Sequence, residues 1–283
     1  SVSAFLLNRS SDLDLNINDN VQMDGWLFLN GTNDHNNIKF FLMGYDGTTV
    51  SEYDNILMPK INLTIATTDG ILDKSTVDLD EPVKFSPTEI GINRVTAQIE
   101  DATQTIEFTN GDFDVLQTIV NNATSSVINL TRNYTYNEFD TITEGVRINR
   151  PITVNGNGFT IDAKGKSRIF YVTAGSINIT NVTLKNGKAD SGGAIYIENE
   201  ISNSNINANY INNTAAKWGG GANYFRGSVS GSNVSGTYIN NTAEYYGGAN
   251  FFVSVSGSNI SGTYANNQAT ITNGGANDFG SVS

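Results

Sequence analysis

The sequence predicts an all-β chain in two parts. Residues 1–112 read as an acidic immunoglobulin-like β-sandwich, and residues 113–283 as a right-handed parallel β-helix entered through a short capping α-helix. Three observations carry this. A Gly-Gly-Ala motif recurs four times, at Gly192, Gly220, Gly247 and Gly274, in steps of 28, 27 and 27 residues. Asn supplies 40 of the 283 residues, whereas Pro supplies only 4. The first part alternates apolar and polar residues in short runs broken by turn signals.

The short strands come first. Runs at Asn37–Met43, Lys60–Thr67, Val83–Phe85, Arg94–Glu100 and Gln104–Thr109 are β-branched or aromatic, with apolar residues at every second place, as in Leu63-Thr64-Ile65 and Val95-Thr96-Ala97. Asp46-Gly47, Asp69-Gly70 and Asn110-Gly111 separate them. Such runs at about ten-residue spacing suit a sandwich without the disulfide, since the chain has 0 Cys. Next, Leu116, Ile119, Val120 and Ala123 fall on one face of a helix expected over about 114–122, with Asp114 as its N-cap. A helix this short needs a docking surface, and the open end of a strand stack is one.

The repeats follow. Three of the four motifs continue with Asn223, Asn250 or Asn277 and then, two residues on, Phe225, Phe252 or Phe279. Asn186, Asn213, Asn241 and Asn267 precede the Gly pairs. Leu184, Ile211, Ile239 and Ala265 stand two residues before those Asn, and Ile179, Ile206, Val234 and Ile260 seven before. Residues that recur in phase stack one strand spacing apart in a coil of strands. Apolar columns would then fill the interior, Asn would form side-chain ladders, and Gly would make tight corners. Regular coils of about 27 residues run from about residue 170, with looser ones back to Val127, giving roughly six coils. The right hand follows the rule for parallel crossovers. The chain does not begin with Met and its end falls inside a repeat, which predicts a mature or excised piece with more coils to follow.

Charge is uneven. The net charge of −12 lies in residues 1–113, which hold 18 acidic and 6 basic residues, against 10 and 10 afterwards. That argues against nucleic acid as a partner and against adsorption to anionic lipid. No apolar run is long enough to insert in a membrane. The acids of the coiled part form no close pair across coils. Glu198 and Glu200 share a strand face but read as exposed acids beside a turn rather than a hydrolytic dyad. The one His, His35, reads as a solvated loop residue. No catalytic residue and no cofactor is assigned. The acidic start, Asp12, Asp14, Asp19 and Asp24, is the only candidate for Ca2+, without the spacing of an EF-hand.

A variable stretch lies between each repeat Asn and its Gly pair. It carries Trp218 in one copy and Tyr245 and Tyr246 in the next, with Trp218 and Tyr246 expected as stacked neighbours. Tyr224 and Phe251 are opposite in phase to the inward Phe225 and Phe252. These five aromatics are the candidate ligand-binding residues, because rings on an outer face suit sugar rings and apolar patches of a partner. The competing reading packs them against neighbouring loops. There are 12 Asn-X-Ser/Thr sequons, consistent with export, although stacked Asn accounts for much of the Asn content.

The opening Val115–Tyr136, then Ile152–Val172 and Ile177–Ile197, resemble the adhesin-like surface proteins of methanogenic archaea. Those proteins carry β-helical repeats related to pectin-lyase-like folds and to polymorphic outer-membrane-protein repeats, often beside immunoglobulin-like modules. The resemblance covers residues 113–283, and residues 1–112 only as a generic module. It implies export, an extracellular place on the cell surface, and attachment to the glycans or proteins of other cells. A polysaccharide-processing enzyme and a purely structural stalk are the alternatives, because such repeats specify fold far better than function.

Overall fold

The computed structural model describes residues 15–16, 22–23, 26–34, 36–45, 50–52, 62–99, 102–272 and 274–283. His35, Asp12, Asp14, Asp19 and Asp24 lie outside them. The chain divides into two compact units, Ser1–Asn110 and Gly111–Ser283.

The first unit is built of antiparallel strands. Trp26–Asp34, Asn37–Tyr45, Val83–Pro87 and Gly70–Leu72 pair in that order, with Val50–Glu52 on Asn37–Tyr45. A second sheet runs Ala102–Asn110, Gly91–Ile99, Asn62–Thr67, Thr76–Asp78. Alternation sets one face of each sheet inward. Ile38, Phe40 and Leu42 from the first sheet and Leu63, Ile65, Val95 and Ala97 from the second share one core.

The second unit is a parallel β-solenoid of about six turns. One sheet starts at Val127–Asn129 and passes through Ile152–Asn155, Ile177–Lys185, Asn205–Ile211 and Asn233–Ile239 to Asn259–Ile260. A second runs from Val146–Ile148 through Phe170–Val172, Ile195–Ile197, Asn223–Ser230 and Asn250–Ser256 to Asn277–Phe279. A narrow third sheet stacks Lys188–Ala189, Thr214–Ala215, Thr242–Ala243 and Gln268–Ala269. Like side chains stack in columns. Phe225, Phe252 and Phe279 lie with ring centroids 4.5 and 5.1 Å apart and nearly parallel planes. Ile179, Ile206, Val234 and Ile260 form one column, as the repeat spacing requires.

Two expected columns are corrected. The interior partners of Leu184 are Tyr210, Tyr238 and Tyr264, not Ile211, Ile239 and Ala265, which pair with Lys185. The cause is a bulge: Thr180 pairs with Asn207 but Thr183 with Asn209, and the extra residue is absorbed at Asn181, at φ 53°. The same offset moves Asn186. It sits with Asn212, Asn240 and Asn266 at a left-handed corner, with φ of 54°, 57°, 55° and 53°. The buried ladder is Asn213, Asn241 and Asn267, and Gly187 holds its place in the coil before. Each amide of the ladder bonds the next at 2.9 Å. A second ladder, Asn223 to Asn250 to Asn277, also runs at 2.9 Å.

The helix spans Asp112–Asn122, two residues earlier than expected, and Asp114 is inside it rather than at its N-cap. Gly111 occupies the cap and contributes no side-chain bond. A carboxylate from the first coil replaces it: Asp140 accepts the Phe113 and Asp114 N–H groups at 2.7 and 3.1 Å, satisfying amides a helix start leaves open. A Cβ at residue 111 would run into that carboxylate and force it away from the two amides it serves. The Asp114 carboxylate instead accepts the Thr141 hydroxyl at 2.7 Å. At the other end Arg150 donates to the Ala123 carbonyl at 2.7 Å. Phe113, Val115, Leu116 and Val120 join the solenoid core, with Ile119 and Ala123 packed against it.

Candidate functional site

The strand register writes one column on the outer face of the second sheet: Arg147, Tyr171, Tyr196, Tyr224, Phe251 and Asp278. Alternation explains it, since each of these residues separates two inward-facing ones. Tyr171 and Tyr196 stack at 5.3 Å and Tyr196 and Tyr224 at 5.2 Å, with planes 14° and 3° apart. The guanidinium of Arg147 lies 4.8 Å from the Tyr171 ring centroid. Arg168 is buried. It donates to the Ser191 and Gly192 carbonyls at 2.8 and 3.0 Å and lies 4.8 Å from the Tyr196 ring centroid.

Parallel stacking hides ring faces. Tyr171, Tyr196 and Tyr224 cover one another and turn edges and hydroxyls outward. Burial pushes the Tyr196 hydroxyl above its ordinary pKa, while Tyr171 donates to Glu198 at 2.9 Å.

Beyond Tyr224 the geometry changes. The planes open to 30° between Tyr224 and Phe251, 35° between Phe251 and Tyr246, 37° between Tyr246 and Tyr245, and 35° between Tyr245 and Trp218. Centroid separations along this chain of rings run from 5.1 to 6.2 Å. Trp218 is 56% exposed and Tyr246 40%, the most exposed rings of this cluster. Loop stacking holds the rings in place. Trp218 donates its N–H to the Asp190 carbonyl at 2.9 Å, Tyr245 to the Trp218 carbonyl at 3.0 Å, and Gly220 to the Tyr246 carbonyl at 2.8 Å. A Cβ on Gly219 would lie 2.6 Å from the Tyr246 carbonyl oxygen, which is why the loop can close only on glycine. Lys217, beside Trp218, pairs with Asp190 at 2.8 Å.

The five aromatics expected from the sequence, Trp218, Tyr245, Tyr246, Tyr224 and Phe251, are thus contiguous. One detail is corrected: the neighbour of Trp218 is Tyr245, and Tyr246 contacts Phe251 instead. The stretch from Thr214 to Gly220 is one residue longer than that from Thr242 to Gly247, so the offset between the two coils falls from 28 to 27 residues within this loop and Tyr245 comes to lie beside Trp218. Tyr171, Tyr196, Arg147 and Arg168 were missed. Their signal was present, since Tyr171 and Tyr196 fill the slot of Tyr224 in the two preceding coils.

The acids are spread out. Glu198 accepts from Tyr171 and Arg226, and Glu200 accepts from Ser228 at 3.1 Å. Among the described residues no three His, Asp or Glu side chains gather as a metal would need. No helix among them is long and apolar enough to cross a membrane. No family model, curated protein or solved structure matches this chain.

Proposed function

We propose that this chain is a non-enzymatic adhesin module of a cell surface that attaches to the glycans of other cells through the tilted aromatic cluster. The observation that carries the reading is the exposure of Trp218 and Tyr246 at the open end of a packed ring ladder. Rings with one accessible face and a polar edge suit a sugar, which offers both C–H faces and hydroxyls. A stacked solenoid holds such rings at fixed spacing, so little order is lost on binding. The resemblance to adhesin-like proteins of methanogenic archaea fits this, and the reading implies export and an extracellular location. Within the reading, residues 1–112 act as an immunoglobulin-like spacer. The helix caps the first coil, supported by its apolar residues in the solenoid core. The solenoid is right-handed.

The test is binding of the fluorescently labelled chain to a broad glycan array, with calcium present. Saturable binding to a defined sugar class is expected, reduced at least tenfold by Trp218→Ala with Tyr246→Ala. Unchanged binding by that double variant, or no glycan bound at all, would overturn the reading.

A further inference from the structure

A recess of about 300 Å3 opens at the corner between the first sheet and the narrow third one, lined by Lys164, Asn186, Lys188, Asn212 and Thr214 together with two glycines. Successive coils supply these residues. Lys164, Asn186 and Asn212 all sit in left-handed backbone, at φ of 53°, 54° and 57°.

The backbone there is already used. Gly165 donates to the Asn186 carbonyl at 2.7 Å, Asn186 to that of Ile211 at 3.0 Å and Lys188 to that of Ser167 at 2.9 Å. What the recess offers a ligand is therefore side chains, and these are basic. Between residues 162 and 188 stand Lys164, Lys166, Lys185 and Lys188, with Arg168 turned into its own carbonyl cage, against the single acid Asp162. Asp162 is buried and saturated. It takes Lys164 and Lys185 at 3.3 Å each, the Asn186 amide at 2.8 Å and the Lys164 N–H at 3.0 Å. Burial raises its pKa, but these bonds outweigh burial and hold it below the ordinary value, so it stays charged. Lys166 and Lys188 have no acidic partner among the described residues. A chain of net charge −12 thus carries an unneutralised cationic corner beside a recess with amide and hydroxyl donors.

Lys188, without an acidic partner among the described residues, lines the recess with Lys164, Asn212 and Thr214, a set of cationic, amide and hydroxyl groups that suits an oxyanion, because charge-assisted bonds are stronger than neutral ones. We propose that this recess is an oxyanion subsite that takes the carboxylate or sulfate of an acidic saccharide. The saccharide identity rests on the glycan reading above; the anion preference rests on the recess itself.

The experiment measures binding of the full chain to polygalacturonate, chondroitin sulfate and an uncharged β-glucan, with wild type and a Lys164→Gln/Lys188→Gln variant. Both side chains are exposed, and an unchanged far-UV circular dichroism spectrum checks that the variant folds. Binding of one or both acidic polymers is expected, weakened by rising salt and reduced about tenfold or more in the variant. Binding of polygalacturonate, which carries carboxylates alone, shows that a carboxylate suffices, and binding of chondroitin sulfate alone, which carries both groups, points to the sulfate. Equal affinity of variant and wild type overturns the subsite, as does failure of both acidic polymers to bind. If the uncharged glucan still binds in that case, the glycan reading stands and only the subsite falls; if nothing binds, both fall.

Discussion

Replacing Asn241 by Ala should be among the most damaging single changes in the solenoid. The side chain is fully buried and makes four hydrogen bonds. Its Oδ1 accepts the backbone N–H of Asn213 at 3.0 Å and the Asn213 amide at 2.9 Å. Its Nδ2 donates to the Tyr210 carbonyl at 3.0 Å and to Asn267 Oδ1 at 2.9 Å. A typical internal bond contributes about 1 kcal/mol net, and a buried group left without a partner costs about 1–3 kcal/mol. Alanine removes all four bonds and strands the Asn213 N–H, so a loss of about 3–5 kcal/mol is expected. Asn241→Asp keeps the acceptor but sets a second oxygen against the Tyr210 carbonyl and Asn267 Oδ1 in a buried place, so repulsion and desolvation add to the two lost donations. Asn233→Ala is the surface control. Its amide donates to Asn205 at 2.9 Å and Ser235 at 3.1 Å and accepts from Asn259 at 2.8 Å, but it is partly exposed and water can replace these partners, so about 1 kcal/mol or less is expected. The assay is denaturant unfolding of the full chain followed by far-UV circular dichroism. An Asn241→Ala loss no larger than that of Asn233→Ala would refute the argument that buried amide ladders clamp the coils together.

Phe252 is stacked between Phe225 and Phe279, fully buried, and Phe252→Ala should cost about 3–5 kcal/mol in the same assay. Gly221→Ala drives a Cβ into the Gly248 carbonyl and to 2.7 Å from the Thr242 backbone, and should lower the yield of folded protein. Gly257→Ala at φ 52°, with nothing nearby, should cost only about 1–2 kcal/mol of left-handed strain. Burial of Asp140, with the charge of Asp114 adding to it, lifts its pKa from 3.8 to about 6 despite the N–H bonds it accepts. The folded protein therefore holds that proton more tightly than the unfolded chain. The stabilisation is complete below pH 3.8 and is lost as pH rises through about 6. Asp162 runs the other way, its contribution present at neutral pH and lost in acid. Melting temperatures across this range, wild type against Asp140→Asn, should differ in slope between pH 3.8 and about 6, and parallel curves would contradict the assignment.

Much of the solenoid was legible because its code is periodic. Ile179, Ile206, Val234 and Ile260 could be aligned by counting, and so could Phe225, Phe252 and Phe279, since a parallel stack converts sequence period into spatial contact. Counting failed where the period slipped. One extra residue at Asn181 displaced the assignments of Leu184 and Asn186, because a bulge changes register without any signal in residue type. The N-cap failed for another reason. Asp114 had the right chemistry by local rules, but Asp140, distant in sequence, delivers its carboxylate to the same amides, and only the closed coil brings it there.

The candidate site divides in the same way. That Trp218, Tyr245, Tyr246, Tyr224 and Phe251 leave the core followed from alternation and from their place before or after a glycine turn. Which ring touches which, and how far their planes tilt, did not. Those depend on plane angles of 3° in the ladder and 35° at its end, set by how adjacent loops pack. Sequence alone determined the stacked architecture and the outward aromatics, because both follow from strict periodicity. Only the tertiary structure decided the register at Asn181, the carboxylate that starts the helix, the exposure of Trp218 and Tyr246 and the lysines gathered around one corner. Each of these depends on residues from different coils meeting at a distance that no local pattern encodes.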